Sequence, residues 1–199
     1  MNTIPRIPRL VRPLVLALAL AGAPAVALAS ASASTSASAS TATTCAATTT
    51  HWGSLTKSVN RLSPAPITNV RAGRNTCFDR MVVDIRGGGA GYTVRYVSQV
   101  LNQGQGAVVP LRGAAKLDVV IKDPTFNINT GASTYRPANS RELVNVAGFS
   151  TFRQIAFGGS FEGYTTIGLG VRARLPMRVF ILNGPGTGSR VVIDVAHHW

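Results

Sequence analysis

Acidic side chains are scarce in this sequence. The 199 residues include seven Asp and Glu against 20 Lys and Arg, and three His. Paired carboxylates, His-based triads and metal clusters all draw on these residue types, so few catalytic arrangements can be assembled. The glycine-rich stretch 158–163 lacks the spacing of a nucleophile elbow, and His197 and His198 after Asp194 are best interpreted as surface residues rather than metal ligands. We predict a protein that is not an enzyme and holds no metal or cofactor.

Long apolar runs are also missing, except near the start of the chain. Residues 14–29 form the one candidate, and Gly22 and Pro24 interrupt it. Three arginines precede the run, and Ala27-Leu28-Ala29 ends it with an A-x-A cleavage signal. This pattern predicts a secretory signal peptide over residues 1–29, with an uncleaved anchor as the alternative. After cleavage we expect a secreted protein, extracellular or associated with the cell wall, that has no membrane anchor.

Charge and large apolar side chains are absent from residues 30–50, which are almost entirely Ser, Ala and Thr. Such a segment cannot bury enough surface to offset the entropy of ordering it, so we predict disorder. The remaining residues, 51–199, have the length of one domain. Cleavage after residue 29 removes three of the 20 basic side chains, which leaves 17 against seven acidic ones and a net charge of +10.

Only two cysteines occur, Cys45 and Cys77. An even number of cysteines in an exported protein predicts a disulfide. The bond would join the end of the Ser/Ala/Thr-rich segment to the front of the domain.

Helical periodicity is nearly absent after residue 52. Short segments rich in Val, Ile, Thr, Tyr and Phe alternate with Gly, Pro and Asn, which is typical of strands and turns. We predict an all-β protein, a β-sandwich of about 8–10 short strands, with a long loop over 123–139. The strands are expected near residues 67–72, 80–86, 92–100, 108–111, 115–122, 143–146, 152–157, 165–174, 177–182 and 190–196.

One strand pattern occurs twice, as RMVVDI from Arg80 and as RVVIDV from Arg190. Alternation places Arg80 and Asp84 on one face of the first strand, and Arg190 and Asp194 on one face of the second. Antiparallel pairing would set Arg80 opposite Asp194 and Asp84 opposite Arg190, whereas parallel pairing in register would set Arg beside Arg. We predict structural ion pairs between antiparallel neighbours, or equivalent strands in two separate sheets.

These two strands resemble the Arg-apolar-Val-apolar-Asp strands of AMIN domains, which occur in cell-wall amidases. The segments 51–58, 77–100 and 151–199 resemble the AMIN-like domain of secreted actinobacterial proteins. The resemblance covers about residues 45–199 and implies a β-sandwich that is not catalytic and that brings proteins to peptidoglycan. No amidase domain follows here, so a targeting role would belong to the single domain.

The basic charge points to anionic partners outside the cell, where free nucleic acid is rare. We predict binding to a cell-wall glycan or anionic polymer, through a surface of Arg172, Arg174 and Arg178 with Tyr135 and Tyr164 at its rim. The alternative is a structural or protein-interaction subunit of an envelope complex. A hydrolase is the third and least supported hypothesis.

Overall fold

The structure, a computed structural model, describes residues 45–46, 48–89 and 91–199. The predicted signal peptide over 1–29, and all of the predicted disordered segment 30–50 except its last few residues, lie outside this description. Cys45 and Thr49, near the end of that segment, are buried. Within the described residues, no helix combines the length and hydrophobicity needed to span a membrane.

The described chain is built from β-strands, with helical backbone at residues 45–46 and 48–49. Its eleven strands are β1 (Lys57–Val59), β2 (Ile67–Arg74), β3 (Phe78–Ile85), β4 (Tyr92–Val97), β5 (Val100–Leu101), β6 (Val108–Val109), β7 (Ala115–Ile121), β8 (Phe152–Phe161), β9 (Tyr164–Val171), β10 (Met177–Asn183) and β11 (Ser189–Ala196). The predicted all-β class is confirmed.

Two antiparallel sheets make up the sandwich. The first has five strands in the order β1-β4-β7-β9-β8, and the second has four in the order β10-β11-β3-β2. Strands β5 and β6 form a separate two-stranded ribbon. The predicted long loop over 123–139 is a loop, with one isolated bridge between Phe126 and Ser133.

The main apolar core lies between the two main sheets, and a smaller cluster of Val100, Val109 and Ala156 packs at the β5–β6 ribbon. Alternation along each strand supplies it, because every second side chain faces inward. The inward residues of the four central strands are almost fully buried, and they are Met81, Val83, Ile85, Leu117, Val119, Ile121, Ile167, Leu169, Val171, Val191, Ile193 and Val195. Two tyrosines of β4 also cross the core: the Tyr92 hydroxyl donates to the Val179 carbonyl at 2.9 Å, and the Tyr96 hydroxyl donates to the Leu175 carbonyl at 2.8 Å.

Strands β3 and β11, which carry the repeated pattern, are antiparallel neighbours in the predicted register. Arg80 lies opposite Asp194, and Arg190 lies opposite Asp84. The side chains follow this register only in part. The Arg80 Nε lies 2.7 Å from Asp194, whereas Asp84 pairs with Arg71 of β2 instead of with Arg190.

The strands differ from the prediction at several points, and the predicted strand 92–100 is divided into β4 and β5. The predicted strand at 143–146 is a loop, because Leu143 and Val144 reach the core without sheet pairing and Asn145 turns the chain by accepting a hydrogen bond from the Ala147 N–H at 2.9 Å. Strand β1 was missed, since its three residues have little strand character and are defined by pairing with β4. The predicted strand 165–174 ends at Val171, and residues 172–174 form a bend.

A disulfide between Cys45 and Cys77 closes the N-terminal end of the described chain and confirms the sequence prediction. Closing a loop of this length stabilises the fold by roughly 3–4 kcal/mol in the chain-entropy model. His197 lies beside it: its backbone N–H donates to the Cys77 carbonyl at 2.9 Å, and its Nδ1 lies 3.1 Å from the Thr76 carbonyl.

Asp79 joins the two sheets at this corner. It occupies an inward position on β3 and is 0% exposed. Its Oδ2 accepts hydrogen bonds from the backbone N–H groups of Thr151 and Phe152, at 2.6 and 3.0 Å, where the chain enters β8 of the other sheet. Its Oδ1 lies 3.1 Å from Nε2 of His197. One carboxylate therefore connects β3, β8 and the end of β11.

Replacing Asp79 by Asn should destabilise the fold by about 2–4 kcal/mol, because an amide has one acceptor oxygen in place of two and the buried backbone donors lose a charged partner. Urea denaturation followed by circular dichroism would measure the change. Glu142→Gln is the matched control, since it removes a carboxylate from a more exposed ion pair with Arg112 and should cost under about 1 kcal/mol. Equal losses in the two variants would contradict the role assigned to Asp79.

Candidate functional site

The five residues predicted to form a binding surface do not lie together. Arg172 and Arg174 are in the bend after β9, and Arg178 is in β10. Tyr164 begins β9, so the eight-residue strand separates it from Arg172 by about 26 Å. Tyr135 is half-buried against the core and meets the Phe157 ring edge-on. Burial also raises the pKa of Tyr135 to about 12. The predicted aromatic rim is therefore divided between separate places.

The three arginines of that surface are each held by a neighbouring group. Arg172 donates to the His197 carbonyl, and Arg174 donates to Oγ and the carbonyl of Ser54 at 3.2 and 3.3 Å. Arg178 donates from Nε to Asp194 at 2.8 Å. These side chains surround the corner where β11 ends, and their contacts hold that corner in place.

Asp194 is the centre of a charged cluster on the outer face of the second sheet. It is 0% exposed and accepts from Arg80 of β3 on one side and from Arg178 of β10 on the other. Both guanidinium groups also lie over aromatic rings, within 4.5–5.7 Å of the ring centroids of Trp52, Phe78 and Phe180. A buried carboxylate is stable here because two charged donors share it and the rings cover the guanidinium faces.

The sequence predicted half of this cluster. Arg80 and Asp194 face each other in the predicted pairing, but Arg178 was assigned to a binding surface. The sequence could have placed Arg178 in this cluster, because Arg178 lies opposite Asp194 once β10 and β11 pair as a hairpin. The predicted pair of Asp84 and Arg190 was wrong, because Arg71 on the edge strand reaches Asp84 with two hydrogen bonds at 2.8 and 3.0 Å.

An open groove of about 650 Å³ lies beside the loop that precedes β8. Its floor is apolar, with the rings of Phe149 and Phe152 stacked 5.9 Å apart. Arg112 at its edge pairs with Glu142 and donates to the Arg153 carbonyl at 2.9 Å, and Arg153 donates to backbone carbonyls of the same loop. The groove is amphipathic, and its charged groups are already satisfied within the protein.

Candidate catalytic groups are few in the described chain. His197 was expected at the surface but is 8% exposed, because both ring nitrogens face acceptors on Thr76 and Asp79. Glu142 is paired with Arg112. Among the described residues, no group of three or more His, Cys, Asp and Glu has the arrangement to hold a metal ion.

Asp123 is the one buried carboxylate with an unusual environment. It is 0% exposed, and neither of its oxygens completes a hydrogen bond of ordinary geometry. Burial raises the pKa of Asp123 to about 7 from an ordinary value of 3.8, and the nearby Ser63 hydroxyl and Arg61 charge oppose this only weakly. Between about pH 4 and pH 7, Asp123 is therefore protonated in the folded protein and ionised in the unfolded chain.

This difference predicts that Asp123 makes the fold less stable as pH rises from about 4 to about 7. Asp123→Asn removes the titrating group, so at pH 8 the variant should be more stable than the native protein by about 1–2 kcal/mol. Urea midpoints measured across this pH range would show the gap opening with rising pH. Parallel curves for the two proteins would contradict the assignment.

The part of the sequence that forms this fold matches a known protein family. The family model described as AMIN-like domain matches residues 65–197, from the segment before β2 to the residue after β11. Among curated proteins, none matches the sequence. The matched range contains both strands with the repeated Arg and Asp pattern and all of the second sheet.

Proposed function

The chain belongs to the AMIN-like domain family, and on that premise we propose that it is a secreted, non-catalytic module of the cell envelope that binds peptidoglycan or an anionic polymer of the wall. AMIN-like domains occur in extracellular or envelope proteins, which is consistent with the export signal at residues 1–29. The observation that carries the proposal is the family match together with the surplus of unpaired positive charge.

The surplus of positive charge is clear from the ion pairs. Five arginines use four of the carboxylates: Arg71 with Asp84, Arg80 and Arg178 with Asp194, Arg95 with Asp118, and Arg112 with Glu142. Among the described residues, the guanidinium groups of Arg86, Arg136 and Arg141 donate to no acceptor, and all three residues are exposed. Exposed cations of this kind add to a positive field that attracts polyanions and speeds their association.

The chemistry of the described side chains also supports a binding role. His197 has both ring nitrogens engaged, Asp79 is fully used in joining the sheets, and Glu142 is paired. General base or nucleophilic catalysis needs a free base beside a nucleophile. None of these three groups provides such a base.

A protein-interaction role is the second candidate, and the edges of the second sheet favour it. Strands β2 and β10 lie at its two edges, so each has one side without a neighbouring strand, although backbone groups of Ile67, Met177 and Val179 already bond to other parts of the chain. Such edges can accept a strand from another protein. Recovery of a stoichiometric protein partner from envelope extracts would favour this role over wall binding.

Sedimentation with purified wall sacculi tests the proposed function. We expect the secreted protein to pellet with native sacculi at about 0.05 M salt and to be released near 0.5 M, because screening weakens contacts between exposed charges. Sacculi stripped of their anionic polymers separate the two ligands: lost binding identifies the polymer, and retained binding identifies peptidoglycan. Recovery of the protein in the supernatant at every salt concentration would contradict both.

A further inference from the structure

A second concave surface lies at the end of the sandwich opposite the disulfide. Here β3 ends at Ile85, β11 begins at Ser189, and the glycine-rich loop 184–188 joins β10 to β11. The cleft between them has a volume of about 570 Å³. Three arginines line it, Arg71, Arg86 and Arg190, together with a single carboxylate, Asp84.

The sheet order brings these charges together. Asp84 lies on the outer face of β3, with Arg190 of β11 opposite it and Arg71 of β2 on the other side. Arg86 follows β3 directly. Arg71 neutralises Asp84 through a two-point ion pair. Arg86 and Arg190 have no carboxylate partner, so the cleft keeps two uncompensated positive charges.

Hydrogen-bond donors in the cleft are also unused. The Arg190 Nε is buried without an acceptor, and the guanidinium group keeps one bond, from its NH2 to the Asn183 carbonyl at 3.1 Å. Within the described chain, the Arg86 guanidinium and the backbone N–H groups of Gly186 and Thr187 donate to nothing. A buried donor without a partner destabilises the fold, and an incoming acceptor can recover that loss.

The backbone of the loop suits an anion. Gly184 and Gly186 have φ values of 78° and 60°, which glycine adopts without strain. Alternating backbone conformations of this kind can turn successive N–H groups toward one point and form a nest for an oxyanion. The loop lies beside Arg86 and Arg190, so charged and neutral donors border the same cleft.

We propose that this cleft binds a phosphodiester group, carried by an anionic polymer or by a lipid headgroup. The assignment of that group to the cell envelope rests on the proposed function. Arginine forks match the paired oxygens of a phosphate, and two uncompensated charges exceed the single charge of one diester. A tetrahedral phosphate presents its oxygens in several directions, which fits donors on β11, after β3 and on the loop. The cleft is open at the surface and so admits one unit of a long chain.

The groove beside Phe149 is a weaker candidate for this ligand. Its Arg112 is paired with Glu142, and its Arg153 donates to three backbone carbonyls. An anion there would have to displace existing bonds. In the cleft the Arg86 guanidinium and the Arg190 Nε have no acceptor, and this difference decides between the two surfaces.

The test compares two double variants of the full-length secreted protein. Arg86→Gln with Arg190→Gln removes the two uncompensated charges of the cleft. Arg136→Gln with Arg141→Gln removes two exposed, unpaired arginines outside it and lowers the net charge equally. Binding is measured by titration calorimetry with poly(glycerol phosphate), and by co-sedimentation with vesicles of phosphatidylglycerol or of phosphatidylcholine.

We expect the cleft variant to bind the phosphodiester probe at least about tenfold more weakly than native protein, and the control to change by under about threefold. Preference for the polymer over vesicles identifies a polymer as the source, and preference for phosphatidylglycerol vesicles identifies a headgroup. Equal losses in both variants, or no binding of native protein to either probe, would overturn the proposal. Circular dichroism and urea midpoints matching those of the native protein show that the variants remain folded.

Wall sedimentation of the same variants separates the two proposals. If the cleft variant still pellets with sacculi as the native protein does, the cleft is not the wall site, although wall binding stands. If native protein binds the phosphodiester probe through the cleft but never pellets with sacculi, the cleft assignment stands and wall binding fails.

Discussion

The carboxylate of Asp79 is the interaction on which the arrangement of the two sheets most depends. It lies on the core-facing side of β3 and reaches the backbone of β8 in the opposite sheet. A charged group in that position is tolerated only with several polar partners: two backbone N–H groups donate to it, and the His197 Nε2 lies 3.1 Å away. The same group fixes His197, and His197 fixes the end of β11 against the segment next to the disulfide. This contact of Asp79 with β8, together with the hydrogen bond from the Tyr92 hydroxyl to the Val179 carbonyl, thus sets the relation of two sheets whose remaining packing is largely apolar and not directional.

Charge in this protein is divided between two kinds of arginine. One kind is structural: Arg80 and Arg178 share the buried Asp194 and lie over aromatic rings, so they act as part of the outer layer of the second sheet. The other kind, represented by Arg86, donates to no described group, so it adds to the external field and remains available to a ligand. The net charge of the sequence does not separate the two kinds. It therefore predicts an anionic ligand but does not indicate which arginines would meet that ligand.

The sequence predicted the fold more fully than the site. Strands β3 and β11 were predictable because their alternation is regular and opposite charges specify one register. β1 was not, since Lys57–Val59 is a strand only through its pairing with β4. Asp79 was missed because the predicted strand began at Arg80; extending its alternation by one residue would have placed Asp79 inward, where it needs buried partners. The cleft could not be predicted, because Arg71, Arg86 and Arg190 come together only when β2, β3 and β11 are ordered side by side.

The direction in which β11 runs has a practical consequence for attaching the protein to other molecules. The strand runs from the cleft at Ser189 to the disulfide corner at Ala196, a length of about 26 Å. Cys45 is bonded to Cys77 at that corner, so the described chain both enters and leaves the sandwich at one end. A label, fusion partner or solid support joined on either side of the domain would therefore attach at the same pole. The glycine-rich loop would face away from it, unobstructed.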